Sequence, residues 1–86
     1  MAPSSLSATE EAVLRTLLAG KGRVVSRETI VRDSGLGHLS ARRADSVVAA
    51  LRRRLGSDAL VTVRQRGWML PVVGAELARS MLPPSL

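Results

Sequence analysis

The sequence predicts a small, mainly helical domain with a single β-hairpin near its carboxyl end. Three stretches repeat apolar residues at helical spacing behind a serine that can cap a helix. A later stretch alternates β-branched residues before a turn. The chain has 86 residues, of which 45% are hydrophobic, so it can form one small core. The predicted order is helix, short strand, helix, helix and hairpin.

The first helix is predicted to follow Ser7. The motif SATE fits a capping box, in which the Ser7 hydroxyl and the Glu10 carboxylate each accept a backbone N–H of the other residue. An apolar stripe follows, and we expect the helix to end in GKG, where Gly20 and Gly22 tolerate left-handed angles. Residues 1–5 are predicted to be a flexible lead.

A short β segment, RVV, is expected to separate this helix from the second, which Ser26 can cap. The third helix is predicted over Ser40–Leu55, and Gly56 ends it. At 100° per residue, one side of this helix is aliphatic and must face the core. That side consists of Ala44, Val47, Val48, Leu51 and Leu55.

The opposite side of the third helix carries its charge. It consists of Arg42, Ser46, Ala49 and Arg53, with Arg43, Ala50 and Arg54 adjacent. These arginines frame a smooth strip of small residues that a broad partner can approach closely. Arg42 and Arg43 occupy the first helical turn, where the helix dipole disfavours each cation by about 0.3–1 kcal/mol. An incoming phosphate would relieve both, and simple solvation of the two side chains is the alternative.

The segments ALVTVR, QRG and WMLPVV predict a β-hairpin with Gly67 at its tight position and with Arg64 and Arg66 near its tip. The final GAELARSMLPPSL is predicted to form one or two amphipathic turns that Pro83 and Pro84 end. This tail either packs against the first helix or offers a surface to a second copy or another domain. The predicted boundaries are 1–5 for the lead, 6–72 for the domain and 73–86 for the tail.

Positive charge is concentrated in the second half of the chain. The net charge is +6, and 12 of the 13 basic residues are arginine. Between Arg42 and Arg66, seven arginines stand against two acids, Asp45 and Asp58, so this segment carries +5. Such a segment favours a polyanionic partner, because neutralising phosphates releases counterions.

The sequence contains no residue pattern that is typical of a catalytic site or a metal-binding site. The chain has no cysteine, and His38, its single histidine, cannot assemble a metal site or a catalytic triad without partners. No glycine-rich phosphate loop is present, so we expect neither an enzyme nor a cofactor. No apolar run is long enough to span a bilayer, so we expect a soluble, cytoplasmic protein without membrane contact. Trp68 is the single aromatic residue. It is expected to pack where the two strands of the hairpin begin, rather than to stack on a nucleotide base.

Four stretches in order, LSATEEAVLRTLL, GRVVSRETIV, ADSVVAALRRRLG and LVTVRQRGWML, resemble the OmpR/PhoB-type winged-helix domain of bacterial response regulators. The resemblance covers about Leu6 to Leu70. It implies a three-helix winged helix-turn-helix that binds double-stranded DNA. Ser40–Leu55 would then be the recognition helix in the major groove, and Thr62–Trp68 the wing at the minor groove. Similar domains also follow uroporphyrinogen-III synthase-like modules in other regulators.

The resemblance also assigns roles to single residues. Arg42 and Arg52 would contact the DNA backbone or base edges, Thr62 a phosphate and Arg64 the minor groove. Trp68 takes the position of a family tyrosine. Combined with the outer face of the third helix and the hairpin tip, these assignments complete the candidate DNA-binding set. The set is Arg42, Arg43, Ser46, Ala49, Ala50, Arg52, Arg53, Thr62, Arg64 and Arg66.

The chain departs from the family pattern in three places. Ala49 and Ala50 stand where many members carry arginines that reach bases. SGLGHL replaces a tryptophan-glycine pair and a longer loop that can meet RNA polymerase. Only residues 1–5 precede Leu6, so we expect either a piece of a longer protein with an N-terminal regulatory domain or a minimal variant. The alternative function is a winged-helix protein-interaction domain with weak or no DNA binding.

Overall fold

The computed structural model describes residues 6–35 and 40–82. Helix α3 lies at the centre, with α1, α2 and α4 packed against it. The two strands pair antiparallel, with Thr62 opposite Trp68. The elements are α1 (Ala8–Ala19), α2 (Arg27–Asp33), α3 (Ala41–Leu55), β1 (Val61–Val63), β2 (Gly67–Met69) and α4 (Val72–Met81). The predicted lead over residues 1–5, His38 with its loop, and Pro83 and Pro84 lie outside the described residues.

Serine caps begin the first three helices, as the sequence predicts. The Ser7 hydroxyl accepts the Glu10 backbone N–H at 3.1 Å, and the Glu10 carboxylate accepts the Ser7 N–H at 2.8 Å. Ser26 and Ser40 each accept a hydrogen bond from the backbone N–H three residues ahead. Ser40 is therefore the cap of α3 rather than its first helical residue. The capping box is confirmed, and the amino-terminal ends of these three helices rely on local chemistry.

The core is built from aliphatic side chains of the four helices and of the segments that flank the helices and the hairpin. The inward face predicted for α3 is confirmed, because each of its five members is buried. Leu14 and Leu17 of α1 and Ile30 of α2 are also fully buried beside that face. Trp68 is half-buried and packs against the core, in agreement with its expected position at the wing base.

The two glycines in the turn after α1 take different backbone angles. Gly20 keeps a right-handed φ of −71°, whereas Lys21 and Gly22 take the left-handed angles of 52° and 84°. A Cβ on Gly20 would lie 2.6 Å from Val25 Cγ2. The helix thus ends in GKG as predicted, and of the two glycines only Gly22 uses a left-handed angle. The small size of Gly20 matters because the chain returns closely past the helix end.

The hairpin is confirmed, but its tight turn uses another residue. Arg66 N–H donates to the Val63 carbonyl at 3.0 Å, and Gln65 takes the left-handed φ of 65° inside this turn. Gly67 is instead the first residue of β2, so its predicted turn position is wrong. The predicted RVV segment forms one bridge, in which Val25 exchanges hydrogen bonds of 2.7 and 3.0 Å with Trp68.

The segment after the hairpin is helical, which corrects two expectations. The second strand ends at Met69 rather than continuing through WMLPVV, because Pro71 has no N–H for a strand ladder and instead precedes α4. The tail is longer than one or two turns, since α4 has 10 residues. It packs against α1 and α3, with Ala78 fully buried. The predicted boundary between 72 and 73 falls in its first turn.

Candidate nucleic-acid interface

The outer face of α3 is as the helical spacing predicts. Arg42, Arg43, Ser46, Ala49 and Arg53 are exposed, and Ala50 is half-buried. The Ser46 hydroxyl donates to the Arg42 carbonyl at 3.3 Å, so it turns back onto its own helix. The middle of this face is therefore smooth and low, with arginines at both ends.

A groove of about 410 Å³ separates this face from the wing. Arg52 and Arg53 of α3 and Thr62 and Trp68 of the wing all contribute to its walls, and Ala49 lies at its edge on the smooth strip. The fold thus brings together candidate residues that are about ten positions apart in the sequence. A concave, basic wall of this kind suits a chain of phosphates.

Arg52 also has a structural contact that no sequence pattern indicated. Its Nε donates to the Leu60 carbonyl at 3.2 Å, where the chain enters β1. This bond ties the last turn of α3 to the base of the wing. Arg52 therefore contacts the chain at the base of the wing as well as lining the groove.

Arg54 differs from the sequence expectation. Its Nε lies 3.7 Å from the Glu10 carboxylate of α1, so the side chain turns toward α1 rather than framing the smooth strip. Helical spacing placed it near the outer face, but the neighbouring helix supplies an anion on the other side. The outer face of α3 accordingly ends with Arg53.

The wing tip is formed by Arg64, Gln65 and Arg66, and all three are exposed. The left-handed Gln65 allows the chain to reverse in three residues between the paired Val63 and Gly67. This short reversal leaves both arginines exposed at the tip of the wing. The predicted positions of Arg64 and Arg66 near the hairpin tip are confirmed.

Arg27 is a neighbour of this surface that sequence reasoning missed. Its Nε donates to Asp45 Oδ1 of α3 at 2.8 Å. The hydrogen bond and the charge of Asp45 raise the pKa of the Arg27 guanidinium above its ordinary value. Arg27 also lines a second groove, of about 210 Å³, between α2 and the wing. The contact joins residues 18 positions apart, and no linear motif indicates it.

Other chemistry is not indicated in the described part of the chain. Across residues 6–35 and 40–82, no three histidine, cysteine or acidic side chains gather where a metal ion could bind. Over the same residues, no helix combines the length and the apolar character needed to cross a membrane. Charge and shape remain the distinctive properties of this surface.

Comparison with known proteins agrees with this geometry. The chain matches the family model described as "transcriptional regulatory protein, C terminal" over residues 2–70, which end just before α4. No curated protein and no solved structure matches the chain. Members of that family are DNA-binding regulatory domains and not enzymes. Because the match spans most of the chain and its helices and hairpin form a winged helix, this chain belongs to the OmpR/PhoB-type C-terminal DNA-binding domains of transcriptional regulators.

Proposed function

We propose that this domain binds double-stranded DNA with α3 in the major groove and the wing at the minor groove. The observation that carries the proposal is the groove between α3 and the wing, which Arg52, Arg53 and Thr62 line, together with the exposed arginines at the wing tip. B-DNA's major groove admits an α-helix, and a neighbouring wing can then reach the adjacent minor groove.

Each candidate residue has a proposed contact. Arg42 and Arg43 bind phosphates at the start of α3, where exposed N–H groups also favour an anion. Arg52, Arg53 and Thr62 bind the backbone along the groove. The wing arginines enter or flank the minor groove, whose negative potential attracts arginine. The proposed wing residues are Arg64 and Arg66.

The smooth strip of Ser46, Ala49 and Ala50 supports close approach of α3 to the base pairs. Alanine methyl groups can contact the methyl group of thymine, whereas they cannot form the two hydrogen bonds that arginine makes to guanine. We therefore propose that phosphate contacts contribute most of the affinity. RNA polymerase and an N-terminal regulatory domain are further proposed partners, and the proposed location is the bacterial cytoplasm.

The alternative is a protein-interaction domain. Two observations favour it: Ala49 is exposed in the middle of the outer face, and α4 exposes Val72 by 78% and Val73 by 51%. Apolar contacts of this kind would make affinity nearly independent of salt. The two functions therefore predict different salt dependence.

DNA binding is expected to weaken steeply with salt. If about five phosphates are neutralised, as the +5 segment suggests, the slope of log K against log salt is about −4.5. Affinity for a mixed-sequence duplex should then fall about 500-fold between 50 and 200 mM salt. Fluorescence anisotropy measures this, and amide shifts on α3 and the wing locate the contact. An affinity that stays flat across this range would contradict the proposal and favour a protein partner.

Arg64→Ala is expected to weaken binding on the order of tenfold and to make the salt slope shallower by about 1. The reason is the loss of one cation at the minor groove. Arg79→Ala is the matched control, because Arg79 carries the same charge but lies on α4 beside α1. The control should change affinity less than about twofold, since distant charges are screened. Equal losses in both variants would argue against a wing contact.

A further inference from the structure

The Arg27–Asp45 ion pair joins α2 to α3 beside the wing. The donor and acceptor atoms are 2.8 Å apart, and the two side chains keep 48% and 43% of their surface exposed. A pair this exposed contributes little to folding stability, because water screens it and ordering two side chains is unfavourable. Its position is therefore more informative than its strength.

Asp45 is the one acidic side chain among the described residues that line the groove between α3 and the wing. Arg27 lines the neighbouring groove, and Thr62 and Trp68 contribute to both. The pair thus lies at the junction of the two grooves, beside the proposed path of the DNA backbone. A carboxylate there would repel phosphate at short range, where salt screens least.

Arg27 is oriented to cancel that repulsion. Its guanidinium donates through Nε to the Asp45 carboxylate, so the positive charge lies directly on the acid rather than elsewhere in the groove. Since the separation is one hydrogen bond, the pair looks nearly neutral to a phosphate several ångströms away. Removal of Arg27 would expose the full negative charge of Asp45 to the phosphates of the DNA.

We infer that Arg27 is a positioning residue for DNA binding, which neutralises Asp45 so that phosphates can enter the groove between α3 and the wing. This rests on the proposed DNA-binding function. The inference differs from a direct phosphate contact in one respect. If Arg27 acts by neutralising Asp45, removing that carboxylate should restore binding when Arg27 is missing, whereas a lost phosphate contact would not be restored.

A double-mutant cycle on the whole chain tests the inference. Arg27→Ala is expected to weaken binding to a mixed-sequence duplex on the order of tenfold at 50 mM salt. Asp45→Asn should restore most of the loss when it is added to Arg27→Ala. In the wild type it should strengthen binding, because it leaves the charge of Arg27 unpaired beside the DNA. Denaturation midpoints of all variants should stay close to that of the wild type, because the pair is exposed.

The Arg32–Asp33 ion pair at the other end of α2 provides the matched control. It has the same 2.8 Å separation and even greater exposure, 71% and 49%. Arg32→Ala changes the net charge by the same amount as Arg27→Ala, and Arg32→Ala/Asp33→Asn by the same amount as Arg27→Ala/Asp45→Asn. Both control variants should nevertheless alter affinity less than about twofold.

The outcomes separate the two proposals. If the wild-type chain shows no salt-dependent DNA binding, the proposed function and this inference both fail. If the wild type binds, the proposed function stands, and either of two results would overturn the inference alone. These are an Arg27→Ala loss that Asp45→Asn does not rescue, and equal effects at the control pair.

Discussion

Gly67→Ala is expected to lower the free energy of unfolding by about 2–5 kcal/mol, a large share of the stability of a small domain. Gly67 has a φ of 142°, a region that residues with a Cβ rarely adopt. A Cβ there would also overlap the Val25 carbonyl oxygen and lie 2.7 Å from its carbon. The substitution therefore pushes the wing away from Val25 and breaks the Val25–Trp68 bridge. Urea denaturation measures the loss.

Gly56→Ala is the control for the close approach. Gly56 also has a positive φ, 104°, but a Cβ added to it would meet nothing within 4 Å. It should therefore show only the conformational penalty, about 1–3 kcal/mol. The DNA affinity of Gly67→Ala should fall further than that of Gly56→Ala, because only the former displaces the wing. Equal stability losses would mean that contact with Val25 contributes nothing.

Gly74→Ala is expected to lower the free energy of unfolding by about 2–4 kcal/mol, opposite in sign to the usual effect of alanine in a helix. A Cβ on Gly74 would overlap the Ala59 carbonyl oxygen and lie 2.7 Å from its carbon. Helix α4 must then shift away from the turn after α3, which opens a gap around the fully buried Ala78. Denaturation gives the loss, and amide exchange should show faster opening of α4.

Ser80→Ala tests whether the effect comes from packing rather than from helix propensity. Ser80 is exposed on α4, and its hydroxyl donates only to the Leu77 carbonyl of the same helix. The change should alter stability by less than about 0.5 kcal/mol. If Gly74→Ala instead stabilised the domain, the result would contradict the packing of α4 against Ala59.

Local patterns predicted much of the fold because their physics is local. The capping box at Ser7 needs only Glu10, three residues ahead, and the core face of α3 follows from helical spacing alone. Gly67 shows the limit of such patterns. The glycine that ends QRG resembles a turn residue, but its small size is required by the approach of Val25, 42 positions earlier.

The tail was mispredicted for a related reason. Val72 and Val73 favour strand by propensity, yet they begin a helix because α4 can place Gly74 against Ala59 and bury Ala78. Packing with distant residues outweighs local preference in such a segment.

The amino-acid sequence was sufficient to predict the first three helices, their serine caps, the wing and the arginine-rich face of α3. Those features depend on contacts within a few residues, which periodicity and cap chemistry describe. Three features required the folded chain: the Arg52 bond to the Leu60 carbonyl, the turn of Arg54 toward Glu10, and the Arg27 pair with Asp45. An arginine side chain is long and flexible, so its partner depends on which acceptor the packed helices bring within reach. Nothing in the linear order of residues specifies that acceptor.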